Sequence, residues 1–446
     1  MSRAARRQFL RQVVGVTVLA GAGTAVCETA AEDGRPPVTR PRATSGDEVS
    51  EPDWAERLTI TVGPRDADLV GTSQRVLQAA VDYVAQLGGG TVRILPGEYR
   101  LRGAVRLRSH VRLVGSGADT RLVKPPSHST RLSADSDWFD QEITLVDPAG
   151  FAVGDWVCLR TKNPHHGATT IAKRVLVARD GHRFKLDRAL RENFWQLGDT
   201  TVSSLYPLVT AEEAVGLTIE DLTLDGNRAQ NDNLDGNYAG CIFLQDCQRV
   251  ALRRITASHY NGDGISWQIC HDVTVEDCHS HDHAGLGLHP GSGSQRPLIR
   301  RNRLERNQIG LFFCWGVRFG LAEHNRLDGN RCGISLGHRD TDNVVRHNEV
   351  LRSQETGVLF RPERGPAFAA HRNRIEHNQI VDSGGDTGVA IDVQGATQEV
   401  ALRGNQLSET RGPAQRVGIR LGAETREIAV EGNQLAGFSR DIDDRR

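Results

Sequence analysis

The sequence predicts an all-β chain, a single-stranded right-handed parallel β-helix of roughly 23-residue rungs behind an N-terminal capping helix. One reason is a glycine followed by an aliphatic residue, recurring at Gly264-Ile265, Gly287-Leu288, Gly310-Leu311, Gly333-Ile334 and Gly357-Val358, with spacings of 23, 23, 23 and 24. Gly240-Cys241 extends the series backwards, and Gly388-Val389 and Gly418-Ile419 extend it forwards on longer rungs. A second reason is a parallel series of Asn302, Asn325, Asn348, Asn373, Asn405 and Asn433, with Asp277 one step earlier. An asparagine at a fixed corner tolerates left-handed backbone angles and can hydrogen-bond to the rungs on either side. Composition is the third: 47 glycines and only 5% aromatic residues suit aliphatic ladders joined by tight turns. Two short strands per repeat account for the pattern. A helical solenoid does not, because no repeat holds a ten-residue stretch of 3.6 periodicity.

Taken in chain order, residues 1–30 read as a twin-arginine type export signal, with Arg6-Arg7-Gln8-Phe9-Leu10 ahead of an apolar run from Val13 to Val26. Cys27 follows a poor lipoprotein box, and residues 31–56 read as a flexible linker rich in Pro, Glu, Asp and Ser. The expected location is therefore the periplasm or the outside of the cell. No later segment is long and apolar enough to span a membrane. The formal charge of −1 excludes the polycation expected of a nucleic-acid binder. The β-helix is expected over 57–440. Within Thr72 to Leu87, Val76, Leu77, Ala80, Val81, Val84 and Leu87 mark one face of a helix that Gly88-Gly89-Gly90 closes. Such a helix would cover the open end of a stacked sheet. Strands follow at Thr91–Leu95 and Val111–Val114. Residues 141–206 break the rung pattern and read as a small β insert, through Ile143–Val146, Asp155–Leu159 and Arg183–Leu186. Eight cysteines in so long a chain do not make a disulfide scaffold; Cys247 and Cys270, one repeat apart, are expected to stack as buried thiols.

The run Ala79-Ala80-Val81-Asp82, the triple glycine and Thr91-Val92-Arg93-Ile94-Leu95-Pro96-Gly97-Glu98-Tyr99 resemble the opening of pectate-lyase-like β-helix proteins. With the rungs, the resemblance covers about 60–440. It implies the fold and an acidic polysaccharide or oligosaccharide as partner, and leaves the reaction open.

Strand parity locates the candidate chemistry. Apolar residues directly after each repeat glycine face inward, so the next position, with Ser266, His289, Phe312, Ser335 and Leu359, faces solvent. Beyond it Trp267, Gln268, Trp315, Arg318, His338, Arg339 and Arg361 are expected to bind substrate, the aromatic ones as platforms for sugar rings. The densest polar cluster is His259-Tyr260-Asn261-Gly262-Asp263-Gly264, one repeat before Asp282-His283-Ala284-Gly285-Leu286-Gly287, with His279, His281 and His283 alternating. His259, Tyr260, Asp263, Asp282, His283 and His289 are the catalytic candidates, and His283→Ala is expected to abolish turnover in a folded protein.

Three chemistries fit these residue types. A His or Tyr base with an arginine clamp would remove the proton α to a uronate carboxylate and drive β-elimination. A carboxylate pair from Asp235, Asp263 and Asp282 would hydrolyse a glycosidic bond. Asn261-Gly262-Asp263-Gly264 resembles the Asn-Thr-Asp-Gly motif of polygalacturonases, although the paired aspartates of that family are replaced by His281-Asp282-His283. Calcium on Asp235, Asp263 or Asp282, or zinc on the histidines, is the third. A non-catalytic glycan-binding or scaffold role stands beside all three, with polar turn residues doing no more than solvating the corners.

Overall fold

The computed structural model describes residues 34–36 and 57–446, apart from 165, 363 and 364. The export signal, Cys27 and nearly all of the 31–56 linker lie outside the described residues.

Each rung holds three strands, not the two expected. One rung runs Gly240–Gln245, Gln248–Arg253 and Thr256–Ser258. The three are named here sheet 1, sheet 2 and sheet 3 in that order. Equivalent strands stack in parallel into sheets of 11, 13 and 11 strands. The third strand escapes sequence reading because it is three residues long and points a single side chain, such as Ala257, inward.

The register explains the glycine series from Gly264 to Gly357 and at Gly418, while Cys241 and Ala390, not Gly240 and Gly388, hold the equivalent positions on their rungs. Ile242, Ile265, Leu288, Leu311, Ile334, Val358, Ile391 and Ile419 stand directly over one another in sheet 1, all buried. Burial of each such side chain contributes about 1.5–3 kcal/mol. The preceding glycine is needed for space: a Cβ on Gly333 would lie 2.5 Å from the Gly357 carbonyl oxygen and 2.4 Å from Val350.

The asparagine ladder is real but differs in membership and in cause. The backbone N–H groups of Cys278, Asn302, Asn325, Asn348, Asn378 and Asn405 each donate to the amide oxygen of the next member, ending at Asn433. Cys278, not Asp277, therefore holds the first place, and Asn378, not Asn373, follows Asn348. Asn373 belongs to a separate ladder in the corner between sheets 1 and 2, where it accepts from Asn343. The left-handed backbone falls one residue earlier, on Arg301, His324, His347 and His377. What the position requires is a side chain with both a donor and an acceptor. Asn348 accepts from Asn325 and donates to the Ala322 carbonyl, wholly buried. Asn348→Ala should lower the unfolding free energy by about 2–4 kcal/mol, since it strands buried backbone groups on two rungs. An unchanged denaturation midpoint would contradict that account.

The capping helix spans Gln74–Gln86 and buries Leu77, Ala80, Val81 and Val84 against the first rungs. No helix among the described residues is long and apolar enough to cross a membrane. The insert begins earlier than the sequence indicated. The chain leaves sheet 3 after Thr120–Val123, forms a six-stranded antiparallel sheet from Ser129–Arg131 to Thr201–Ser203, and re-enters sheet 1 at Val209–Glu212. Its longest strand, Thr169–Asp180, carries Lys173 onto the outer side of sheet 1, 4.2 Å from the Phe243 ring. The described cysteines are all free, and Cys247 N–H donates to Cys270 Sγ at 3.3 Å.

Candidate active site on the outer face of sheet 1

The corner from sheet 3 to sheet 1 separates residues that are close in sequence. His259 and Asp282 stay on the outer side of sheet 3. Tyr260 and His283 turn into the core. Asp263 and His289 emerge on the outer side of sheet 1. The single polar cluster read from the sequence is three environments.

The buried pair is structural. The Tyr260 hydroxyl donates to the Tyr206 carbonyl at 2.9 Å, and burial holds its pKa well above the usual range. His283 Nδ1 accepts from Tyr260 N–H at 3.1 Å while Nε2 donates to the Ala257 carbonyl at 3.1 Å. Burial pushes the imidazole down to about 3. Neither residue can reach substrate, so the expected effect of His283→Ala moves from turnover to stability.

On the sheet 3 side, His279 and His281 stack at 4.1 Å, with His259 edge-on to His281 at 5.7 Å. Asp282 is held below the usual carboxylate range, chiefly by Arg306, which contacts both its oxygens at 2.8 and 2.7 Å. The second neighbour of that carboxylate is His281 Nδ1, at 2.6 Å. This is a solvated ion-pair network around a cleft of about 500 Å³ lined by Asp225, Arg228, His259 and Asp282. His259 is half exposed at its edge, with Nδ1 4.0 Å from the Asp225 carboxylate.

The sheet 1 face is organised differently. Asp263 opens the strand Asp263–Gln268 and is buried. Its Oδ1 accepts the Leu286 N–H at 2.9 Å, and Oδ2 lies 2.8 Å from His289 Nδ1, one rung on. Two glycines make room for this carboxylate. A Cβ on Gly236 would fall 1.6 Å from Oδ2, and one on Gly285 would fall 2.3 Å from Oδ1. The carboxylate sets the imidazole with its proton on Nδ1 and a lone pair on Nε2. His289 Nε2 is buried and has no hydrogen-bond partner. The same is true of the Gln268 amide oxygen on the same face.

Next along the face stands Phe312, its ring edge-on to His289 at 5.3 Å. The Arg361 guanidinium lies 4.3 Å over that ring, donates to Ser335 Oγ at 2.8 Å and to the Phe313 carbonyl at 2.9 Å, and meets Asp340 at 3.3 Å. Asp340 is wholly buried, which pushes its pKa up to about 6 against the pull of Arg361 and of three backbone N–H groups. Trp315 and His338 continue the strip, their rings 4.6 Å apart.

Two of the expected substrate contacts, Trp267 and Arg318, lie elsewhere, and Arg339 stands at the end of the strip on Phe368, whose ring is 6.5 Å from Trp315. Trp267 has no exposed surface, because strand alternation returns the side chain after Ser266 to the core. Arg339 stacks on Phe368 at 4.1 Å and bonds to the Ala367 carbonyl. Arg318 sits in the corner between sheets 1 and 2, in register with Gln295 and Thr341. Asp340 and the glycines that shelter Asp263 carry no pattern in the sequence.

The metal expectation does not fit these residues. Asp263 serves His289, Asp282 serves Arg306, and Asp235 accepts from Asn237 on an exposed loop. Among the described residues no three His, Cys, Asp or Glu side chains are grouped to hold a metal ion. The hydrolytic pair of Asp263 and Asp282 is divided between two faces as well. Cys314 borders the site, but burial raises its thiol to about 12.

Residues 209–350 match a family model described as a right handed beta helix region. Mannuronan C5-epimerase AlgE2 of Azotobacter vinelandii is 22% identical over 330 residues, which are 71% of this chain and 23% of that protein. The chain thus spans about a quarter of the length of the curated relative it matches. Among solved structures, the Dettilon tailspike protein superposes with a TM-score of 0.51 at 11% identity, over 86% of this chain and 62% of its own. The A-module of mannuronan C-5 epimerase AlgE6 from Azotobacter vinelandii gives 0.45 at 15%, over 83% and 91%. An exopolygalacturonase from Thermotoga maritima gives 0.45 at 12%, over 89% and 94%. The chain is a right-handed parallel β-helix, and the superposition on the tailspike speaks for that fold alone.

Proposed function

We propose that this chain is an exported enzyme that acts on an acidic polysaccharide by removing the proton at C5 of a hexuronate residue, with His289 as base. The observation that carries the reading is the Asp263–His289 pair, which ends in a buried imidazole nitrogen that no protein group satisfies. A carboxylate on Nδ1 steadies the imidazolium that forms when Nε2 takes a proton. Arg361 supplies positive charge one ring away, and a guanidinium neutralises the uronate carboxylate as the C5 carbanion develops. The C5–H electron pair then becomes the C4–C5 double bond, the C4–O bond breaks, and the leaving oxygen takes a proton from solvent.

The mannuronan C5-epimerase among the relatives is, by its name, an enzyme of the same carbon. Epimerisation and β-elimination share the first step and differ in whether C5 is reprotonated or the C4 substituent leaves. The 231–239 segment closes over the pair, through the Gly236 carbonyl that accepts from Ser266 Oγ at 2.6 Å. Because Nε2 is buried, the reading requires that segment, which Lys173 and Arg160 of the insert hold through the Tyr238 and Asn233 carbonyls, to move when substrate binds.

The test is a panel of acidic and neutral polysaccharides, followed by the ultraviolet absorbance of unsaturated uronate, by reducing ends and by uronate composition. Response is expected with acidic polymers alone. Absorbance and reducing ends rising together identify elimination, and altered composition without either identifies epimerisation. Reducing ends alone would mean hydrolysis and would overturn His289 as a C5 base. Arg361→Gln should raise KM by about tenfold to a hundredfold, with Arg361→Lys restoring part of the loss through its charge. An unchanged KM would remove Arg361 from the site.

A further inference from the structure

A second polar groove lies on the molecule, distant from His289. It runs between the capping helix, the short strand Val105–Arg106 and the insert, as a cleft of about 450 Å³. Arg75, Gln78, Asp82, Arg106, Arg108 and Trp156 line it, so three guanidiniums face one carboxylate. Asp82 offsets only part of that charge, through Gln78 at 3.0 Å and Arg108 at 3.5 Å. A second cleft of about 620 Å³ shares Asp82 and Arg108 with the first and continues along the helix to His110.

The groove is built rather than incidental. Trp156 forms its apolar wall and lies flat against the chain at Gly103, where a Cβ would come within 2.3 Å of the indole. The Arg106 guanidinium sits 5.0 Å over that indole, and its Nε is buried with no hydrogen-bond partner. Arg106 also belongs to the outward column that holds the base. Register pairs run Arg106–Thr210, Thr210–Phe243, Phe243–Ser266 and Ser266–His289. Four rungs of about 4.8 Å separate Arg106 from His289 by roughly 19 Å, and the intervening Thr210, Phe243 and Ser266 are buried, Phe243 beneath Lys173 of the insert. Planar guanidiniums beside an indole suit an acidic sugar, whose carboxylate takes paired N–H donors while its ring packs on the aromatic wall.

We infer that this groove is a second saccharide site that binds an acidic oligosaccharide segment of the polymer, apart from the site at His289. The identity of that polymer rests on the function proposed above; the groove itself does not depend on His289.

Binding of a uronate oligosaccharide is measured by calorimetry in the His289→Ala background, where nothing is consumed, with and without Arg106→Gln/Arg108→Gln. The double substitution should weaken binding by about tenfold and flatten its salt dependence. Arg106→Lys/Arg108→Lys should retain part of the affinity and serves as the folded control. In the His289-containing protein, the same glutamine pair should raise KM for long polymer and leave kcat on a short oligosaccharide unchanged. Equal affinity with and without the two arginines would overturn the inference, as would equal binding of a neutral oligosaccharide. Competition by inorganic phosphate as strong as by the uronate would reduce the groove to a general anion site and overturn the saccharide assignment. A wild-type protein that binds the oligosaccharide through these arginines yet turns over no uronate polymer would support the groove and contradict the proposed function.

Discussion

His289→Ala should lower kcat on the responsive polysaccharide by about 10²–10⁴-fold, the range general-base removal produces. Its far-ultraviolet spectrum should stay close to wild type. Its denaturation midpoint should fall, because the buried Asp263 Oδ2 loses its partner at Nδ1, so kcat is compared at a temperature where both proteins are folded. Asp263→Asn is the companion variant. It keeps an oxygen for the Leu286 N–H but removes the charge that fixes the imidazole tautomer. Its rate should fall by a similar order, because the imidazole has lost the group that orients it. Turnover of His289→Ala within a few-fold of wild type would remove the base from this face.

The second large effect concerns stability. Burial holds His283 at about 3 in the folded protein, against 6.5 for an ordinary histidine. Between those values the unfolded chain carries a proton that the folded chain does not. The stability contributed by the neutral imidazole is therefore complete above pH 6.5 and is lost as the pH falls towards 3, to a total of about 5 kcal/mol. His283→Ala should be less stable than wild type at pH 7.5 by about 2–4 kcal/mol, because Tyr260 N–H loses its acceptor and a cavity opens. It should also lose less stability than wild type between pH 7.5 and 4.5. Asp340 acts in the opposite sense, since its raised pKa makes acidification between 6 and 3.8 stabilising. The His283 contribution is accordingly read as the difference between variant and wild type. Parallel stability–pH curves for the two proteins would contradict it.

The repeat was legible because it depends on residues with few substitutes. A Cβ does not fit where Gly333 meets the next rung, and only an amide can both donate to and accept from the neighbouring rung. The third strand was not legible, since a strand such as Thr256–Ser258 shows no alternation to count. Parity put Ser266, His289, Phe312 and Ser335 on the outer side of sheet 1, but it did not foresee that Ser266, His289 and Ser335 would be buried there rather than facing solvent. Trp267 failed because the same parity applies one residue further on.

The error at Tyr260 and His283 has a geometric cause. At a β-helix corner, neighbours in sequence point outward on one sheet, inward, and outward on the next within five residues. Polar clustering along the chain therefore does not imply clustering in space. Lys124 is the extreme case. It lies wholly within the coil over the Tyr206 ring, with burial lowering it to about 7, and nothing local to it in the sequence marks it as interior.

The central claim is that His289 removes the C5 proton of a uronate. The direct measurement follows the C5 hydrogen by nuclear magnetic resonance while the protein acts on the responsive acidic polysaccharide in deuterium oxide. Turned-over residues should lose that hydrogen, to deuterium or to an unsaturated product, with wild type and not with His289→Ala. Cleaved chains that keep the C5 hydrogen, or equal loss with both proteins, would contradict it.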